Sequence, residues 1–261
     1  MEMSNEGEMI PCLDFRSGGL GIEEGGEGWR EMSEKVREAC ENHGCFLFMC
    51  NEVPRGLCEQ MFMGMKQLFD LPEETKHKHI SSKPYRSYNA KGPITPFFES
   101  FGVDDAPLPT MAEAFTNLMW PKGNSNLCET LKSMSSKMLE LSFLFMKMIV
   151  VGLQVQDKTG KWIDTKIPQE GFVAIVGDVL KAWSNGRVHA ATHRVVMNAE
   201  KERYSFGLFA SPKDEMEIKV PCELVEDNKH PLRYQPFNYG EYIHYFVSTL
   251  KRDAQEVFAG V

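Results

Sequence analysis

The stretch that decides the fold runs from Gly177 to Arg187 and reads GDVLKAWSNGR, with His193-Arg194-Val195 and Arg203-Tyr204-Ser205 downstream of it. The apolar run Phe172–Val176 before it has the length of a buried strand, and a Gly-Asp pair after such a run is typical of a turn. A lone histidine on a strand is more often structural than a metal ligand. The ordered set of motifs is more specific than a lone histidine. His193 is followed by Arg203, whose guanidinium can hold a carboxylate through two hydrogen bonds.

In this order the motifs resemble the second half of the site of plant 2-oxoglutarate and Fe(II)-dependent dioxygenases. Such enzymes hold iron with two histidines and one carboxylate on one face of the metal, which leaves positions open for co-substrate and oxygen. The resemblance implies that His193 is an iron ligand and that Arg203 and Ser205 hold the tail carboxylate of 2-oxoglutarate. It also implies Fe(II) as cofactor, 2-oxoglutarate as co-substrate and a small plant metabolite as substrate.

The resemblance further implies a His-x-Asp or His-x-Glu motif that supplies the other two iron ligands. None of the seven histidines has an acidic residue two positions later: the followers are Cys45, His79, Ser81, Ala191, Val195, Leu232 and Phe246. The helical pattern of Asn126 to Val150 runs directly into Gly152 to Asp157, where the resemblance implies several intervening jelly-roll strands. At ~5–6 residues per strand plus turns, these amount to several tens of residues. We therefore predict an internal deletion at about Val150 to Gly152.

The first half of the chain fits the N-terminal domain of the same family. The pattern predicts a strand at Ile10 to Phe15, a helix at Trp29 to Asn42, a strand at Cys45 to Cys50 and a helix that ends near Phe69. Three further segments are most similar to the glucosinolate side-chain-modifying branch, which produces alkenyl and hydroxyalkyl groups: Tyr85 to Tyr88, Phe98 to Asp105 and Met119 to Lys122.

Tyr88, Phe97 and Phe209 are the predicted walls of a substrate pocket. His77 and His79 lie one residue apart in a charged segment, which favours solvent exposure over a metal pair. The tail from Tyr239 to Phe258 has the apolar spacing of a helix that packs on a barrel.

The predicted fold class is α+β: a double-stranded β-helix (jelly-roll) core with a helical N-terminal domain, incomplete by two or more strands. The predicted boundaries are an N-terminal domain at 9–105, a connecting helical region at 106–150, a truncated core at 151–235 and a C-terminal helix at 236–261. A closed jelly roll needs about eight strands. After Val151 the sequence has six or seven candidates, including Phe206–Phe209 and Met216–Val220. Unpaired strand edges predict self-association.

The amino-acid composition restricts which binding partners and which cellular compartment are expected for the protein. The net charge is −8, from 29 basic and 37 acidic residues, which does not favour nucleic acid or an anionic membrane as a partner. Seven cysteines without paired spacing indicate reduced thiols rather than a disulfide framework. The first residues, Met1 to Met9, are acidic and lack the apolar core of a signal peptide. No run of apolar residues approaches the ~18 that a membrane span needs. The sequence therefore predicts a soluble, cytoplasmic protein.

Three hypotheses about function follow. The chain is a family dioxygenase by descent that is inactive because its iron site is incomplete, since losing even outer-shell support of a metal costs ~10–100-fold in affinity or activity. Alternatively, it is a shortened version of an active enzyme. The third hypothesis is a non-catalytic role, as a binder of 2-oxoglutarate or another metabolite through Arg203 and Ser205, or as a protein-interaction module.

Overall fold

The computed structural model describes residues 9–17, 23–93, 95–150, 168, 171–193, 202–225 and 230–261. Unit 1 comprises Met1–Asn51, Phe143–Val195 and Pro212–Val261, and unit 2 comprises Glu52–Ser142 and Val196–Ser211. The strands are β1 Cys12–Asp14, β2 Cys45–Met49, β3 Tyr88–Asn89, β4 Ser100–Phe101, β5 Gly171–Ile175, β6 Glu217–Ile218 and β7 Phe237–Asn238. The helices are α1 Glu27–Asn42, α2 Arg55–Phe69, α3 Glu73–Lys76, α4 Pro109–Met119, α5 Ser125–Val150, α6 Asp178–Trp183, α7 Tyr239–Thr249 and α8 Ala254–Ala259. No helix in the described ranges is long and apolar enough to cross a membrane.

The sheet of unit 1 has the order β1-β2-β5, with β1 parallel and β5 antiparallel to β2. The register pairs Cys45 with Ile175 and Met49 with Gly171. Strand β2 is apolar throughout and almost entirely buried, as expected for a strand covered on both faces. Aromatic rings fill the space beside it, where Phe145 of α5 lies 4.8 Å from Phe48 and 5.1 Å from Phe46 between ring centroids.

Helix α1 covers this sheet with one face. Its buried positions recur every three or four residues, which is the period of a helix packed on one side, and they are Trp29, Ser33, Val36, Ala39 and Cys40. A second core of unit 1 gathers α6, the β6-β7 pair, α7 and α8 around Tyr242, which is almost completely buried. Asn185 and Arg187, in the segment that leads to His193, donate to the carbonyl of Leu224 at the border of this second core.

The core of unit 2 is an aromatic cluster centred on Phe101 of β4. The ring of Phe101 lies 4.7 Å from Tyr88, 5.5 Å from Phe69 and 5.8 Å from Phe115, measured between centroids. These rings come from β3, the end of α2 and α4, so one cluster joins elements that are far apart in sequence. Rings at these separations attract each other beyond the area that they bury.

Several predicted elements are confirmed, namely β1, β2, β5, α1, α2 and α5, and β6 lies inside the predicted Met216–Val220 strand. The predicted strand at Phe206–Phe209 is wrong: no strand is found at 202–210, because an extended segment becomes a strand only when a neighbour pairs with its backbone. The single C-terminal helix at 236–261 is also wrong. Leu250 adopts a left-handed conformation, with φ of 50°, and ends α7 before α8 begins.

After residue 151, the described residues contain three strands, β5, β6 and β7, against the six or seven candidates. The predicted turn at Gly177-Asp178 is the start of α6, where Gly177 is the extended residue before the first helical turn. The predicted deletion point at Val150 to Gly152 extends outside the described residues. The domain boundaries at 105, 150 and 235 stay a prediction.

Candidate functional site

The segment that leads to His193 is fixed by the turn after α6. Asn185 has a left-handed φ of 56°, and its side chain makes three hydrogen bonds to backbone groups. Its Oδ1 accepts from the amide of Arg233 at 2.8 Å, and its Nδ2 donates to the carbonyls of Pro231 at 3.0 Å and Leu224 at 3.3 Å. Asparagine suits this position because it tolerates the left-handed region and offers both a donor and an acceptor.

Beyond this turn, the chain lies against the C-terminal end of α1. The amide of His189 donates to the carbonyl of Cys40 at 3.0 Å. On the other side of α6 in the chain, the amide of Val176 donates to the carbonyl of Gly44 at 2.8 Å. Gly44 has a φ of 67°, and a Cβ there would collide with the backbone of His189 and Ala191. The glycine is therefore required both by its conformation and by the close approach of the His189 segment.

His193 is exposed in unit 1, and its Nδ1 lies 2.9 Å from the carbonyl oxygen of Ala191. This contact fits the tautomer in which Nδ1 carries the proton and donates it to the carbonyl. The lone pair then belongs to Nε2, which is the arrangement that a metal-ligating histidine commonly adopts. The local geometry of His193 is thus compatible with the role that the resemblance implies.

The remaining iron ligands do not assemble around it. Across the ranges that the structure describes, no group of three histidine, cysteine or acidic side chains lies close enough to hold a metal ion. A non-haem Fe(II) centre needs two histidines and a carboxylate on one face of the metal. The described donor set therefore does not fit such a centre.

Arg203 and Ser205 belong to unit 2, in an extended segment whose side chains alternate in exposure. Arg203, Ser205 and Phe209 are exposed, whereas Tyr204, Phe206 and Leu208 are half-buried. Because side chains two residues apart in an extended chain point to the same side, Arg203 and Ser205 share one face. A guanidinium and a hydroxyl in this arrangement can both donate to one carboxylate. No acidic group pairs with Arg203 in the described part of the chain.

The three predicted pocket walls have different surroundings in unit 2. Tyr88 is buried, and its hydroxyl donates to Oε2 of Glu99 at 2.6 Å. Phe97 and Phe209 are 71% and 90% exposed. No ring contact joins these three side chains within the described residues, and their role at a pocket stays a prediction.

Sequence reasoning missed a buried ion pair beside Tyr88. Nζ of Lys76 lies 2.8 Å from Oε2 of Glu99 and donates to the carbonyl of Phe69 at 3.2 Å. Burial would raise the pKa of Glu99, but hydrogen bonds from Lys76 and Tyr88 outweigh it, so that this pKa lies below its ordinary value. No sequence signal marks this lysine, because Lys76 ends a short helix in a charged segment.

A second polar contact that sequence reasoning missed joins α6 to α7. The hydroxyl of Tyr242 in α7 donates to Oδ2 of Asp178 at 2.6 Å. Burial first, and then this hydrogen bond, raise the pKa of Tyr242. Asp178 is the acidic residue of the Gly-Asp pair, so the pair begins α6 and also links α6 to the C-terminal helices.

Comparison with known proteins shows which family shares this architecture. Residues 10–96 match the family described as non-haem dioxygenase in morphine synthesis N-terminal, and residues 130–212 match the 2OG-Fe(II) oxygenase superfamily. The chain is 31% identical to the "Probable 2-oxoglutarate-dependent dioxygenase AOP1.2" of Arabidopsis thaliana, over 94% of this chain and 93% of the relative. It is 30% identical to the "2-oxoglutarate-dependent dioxygenase DAO" of Oryza sativa, over 93% and 96%.

A solved structure supports the same family assignment. The crystal structure of the dioxygenase for auxin oxidation from rice has a TM-score of 0.71 and 25% identity, and the match covers 96% of this chain and 99% of that one. The chain therefore belongs to the 2-oxoglutarate/Fe(II)-dependent dioxygenase family. Within it, the similarity to AOP1.2 supports the AOP-type branch, and both the predicted family and the predicted α+β fold class are confirmed.

The alignment with AOP1.2 also shows how many positions of that relative are absent from this chain. The alignment with AOP1.2 extends over 306 positions but uses 94% of 261 residues, which is about 245, so about 60 aligned positions have no counterpart here. At ~5–6 residues per strand, such a length has room for several strands and their turns. This size agrees with the several tens of residues that the sequence predicts to be absent.

Proposed function

We propose that this chain is a 2-oxoglutarate-binding member of its family that does not oxidise a substrate. The observation that carries the proposal is the lack of an acidic residue two positions after any of its seven histidines, which leaves His193 as one iron ligand where three are needed. No oxidation step is assigned to this chain.

The retained function in this proposal is carboxylate binding by Arg203 and Ser205. Hydrogen bonds to charged groups each contribute about 1.5–3 kcal/mol, and Arg203 and Ser205 together can donate about two or three of them to one carboxylate without a metal. We therefore expect a dissociation constant on the order of 1 mM for 2-oxoglutarate, which corresponds to about 4 kcal/mol of binding free energy. The ligand class is a small metabolite with a carboxylate, and the relatives named above act with the same co-substrate.

The test is binding of 2-oxoglutarate to the purified full chain, measured by ligand-observed NMR with and without Fe(II). The proposal predicts binding that is the same in both conditions, and at least a tenfold loss in Arg203→Ala. The matched control is Arg55→Ala, which removes an exposed arginine of unit 2 that pairs with Glu59 at 2.9 Å. Binding that requires Fe(II), or that survives unchanged in Arg203→Ala, would contradict the proposal.

A second candidate is that the chain is a shortened product of a locus that encodes an active dioxygenase. The observation that favours it is the total of about 60 positions in the AOP1.2 alignment that have no counterpart in this chain. Long-read sequencing of transcripts across the codons for Ile149 to Leu153 tests it. A longer transcript that encodes His-x-Asp would assign oxidation to the longer product, and detection of the short form alone would contradict this candidate.

The remaining expectations concern location and self-association. Cytoplasmic location and self-association through an exposed sheet edge both remain proposals. Size-exclusion chromatography with light scattering tests the second, for which we expect species larger than the monomer. A sharp monomer peak across concentrations would contradict it.

A further inference from the structure

We infer that Tyr204 is the positioning residue that makes Arg203 and Ser205 present their side chains together on the exposed face of unit 2. The inference rests on the proposed 2-oxoglutarate binding and adds the residue that controls it. Tyr204 lies between the two ligand-binding residues and is half-buried where they are exposed. Its side chain is therefore directed away from the ligand, so its effect on binding is exerted through the backbone.

The need for such an anchor follows from the geometry of an extended chain. Neighbouring side chains point to opposite sides, so a slip by one residue exchanges the two faces. The segment at 202–210 pairs with no strand within the described residues, so no ladder hydrogen bond among those residues fixes which face is exposed. A side chain that holds the inner face must supply that constraint.

Tyr204 supplies this constraint through its ring. The ring lies 6.1 Å from that of Phe69 at the end of α2, with an angle of 40° between the planes. Phe69 in turn lies 5.5 Å from Phe101, the centre of the aromatic cluster of unit 2. The Arg203 segment is thus connected to the packed core of its unit by two successive ring contacts.

The hydroxyl of Tyr204 has a different and local contact. It donates to Oε2 of Glu202 at 3.3 Å, and Glu202 is an exposed residue of the same segment. A bond within the segment cannot fix the segment against α2. The ring, rather than the hydroxyl, is therefore the anchoring group, and phenylalanine should replace tyrosine without loss.

The first experiment measures the dissociation constant for 2-oxoglutarate in four variants of the full chain. Tyr204→Ala and Phe69→Leu should each weaken binding by about 2- to 12-fold, which is the ~0.5–1.5 kcal/mol of an aromatic pair expressed as an equilibrium constant. Tyr204→Phe should bind like the parent chain. Phe62→Leu is the matched control, because Phe62 lies on the same helix and is exposed. Equal affinity of Tyr204→Ala and the parent chain would overturn the inference, as would equal losses in Tyr204→Ala and Tyr204→Phe.

The second experiment does not depend on 2-oxoglutarate, so it separates failure of the anchor from failure of the proposed function. Trypsin cleaves after arginine, and Arg203 is exposed within the anchored segment. The bond after Arg203 should be cut at least twofold faster in Phe69→Leu than in the parent chain and the Phe62→Leu control. Faster cleavage supports the anchor even where the parent chain binds no 2-oxoglutarate. Unchanged cleavage overturns it.

Discussion

Replacing Glu99 with glutamine should destabilise unit 2 more than any other single charge removal considered for this chain. Glu99 accepts hydrogen bonds from Nζ of Lys76 at 2.8 Å and from the hydroxyl of Tyr88 at 2.6 Å. The side chains of Lys76 and Glu99 are only 6% and 14% exposed. The substitution removes the negative charge but keeps the shape, so the ammonium group of Lys76 is left buried without its counter-ion.

The magnitude follows from that burial. Removing one partner of a buried ion pair costs about 3–5 kcal/mol, because the remaining charge is poorly solvated. The amide oxygen of glutamine can still accept a hydrogen bond from Lys76, which itself also donates to the carbonyl of Phe69. We therefore expect the lower end of the range, about 3 kcal/mol. The matched control is Glu59→Gln, which breaks an exposed pair with Arg55 one helical turn away and should cost about 0.3–0.5 kcal/mol.

The pH dependence has a defined direction. The pKa of Glu99 is lowered in the folded chain, so its stabilisation is present above the ordinary value of 4.5 and is lost as pH falls through the lowered value. Burial lowers the pKa of Lys76, but hydrogen bonds to Glu99 and Tyr88 raise it above the ordinary 10.5, so its charge persists through neutral pH. The free energies of unfolding of the parent chain and of Glu99→Gln should therefore differ most between about pH 5 and 10. In acid the two free energies should converge.

Hydrogen–deuterium exchange of peptides from Glu52–Ser142, followed across a urea series, measures the free energy of unfolding for unit 2 alone. The amide of Tyr88, which donates to the carbonyl of His79 at 2.9 Å, is a suitable reporter. A decrease of less than about 1 kcal/mol in the free energy of unfolding of Glu99→Gln would contradict a buried ion pair, since an exposed pair would give the same result. A difference that persists unchanged at pH 3 would refute the assignment of the charge to Glu99.

Two further substitutions test the close packing at Gly44 and the link between α6 and α7. Gly44→Ala places a Cβ against the backbone of His189 at a left-handed φ, and it should lower the free energy of unfolding by about 2–5 kcal/mol, measured by thermal or urea unfolding. Gly56→Ala, at an open position, is the control. Equal stability of the two variants would be inconsistent with close packing at Gly44. Tyr242→Phe removes the 2.6 Å hydrogen bond to Asp178 and should cost about 1.5–3 kcal/mol, measured in the same way, whereas an unchanged melting temperature would argue against that link.

The elements that sequence predicted correctly are those whose signal is local and periodic. Helix α1 repeats buried residues every three or four positions, and β2 is an unbroken apolar run, so neither depends on a distant partner for its assignment. Phe206–Phe209 carries a similar apolar signal and is not a strand. A strand requires a neighbour that accepts and donates backbone hydrogen bonds, and sequence does not show whether this neighbour is present.

Tertiary contacts account for the other differences. His79 lies in a charged segment that predicts exposure, yet it is half-buried, with Nε2 2.7 Å from the carbonyl oxygen of Gly102 and its ring 5.0 Å from that of Phe115. Lys76, three residues before it, is buried for the same reason, since Glu99, the residue before β4, contacts it. Both partners are 23 residues away in sequence, which is beyond the range of any local pattern.

At the candidate site, the sequence did not reveal the long-range contacts of Tyr204 and Asp178. Arg203 and Ser205 are both exposed in an extended segment, in which side chains two residues apart share a face. The sequence alone gave no indication that Tyr204 contacts Phe69, which lies more than a hundred residues earlier. It also gave no indication that Asp178 of the Gly-Asp pair binds Tyr242.

The most direct test of the central claim is conversion of 2-oxoglutarate to succinate by the purified chain with added Fe(II) and ascorbate, measured beside ligand binding in the same preparation. We predict binding of 2-oxoglutarate that depends on Arg203, with succinate formation no faster than in a protein-free control. Iron-dependent succinate formation that is abolished in His193→Ala would contradict it, because it would mean that the chain completes an iron site from residues other than the missing His-x-Asp pair.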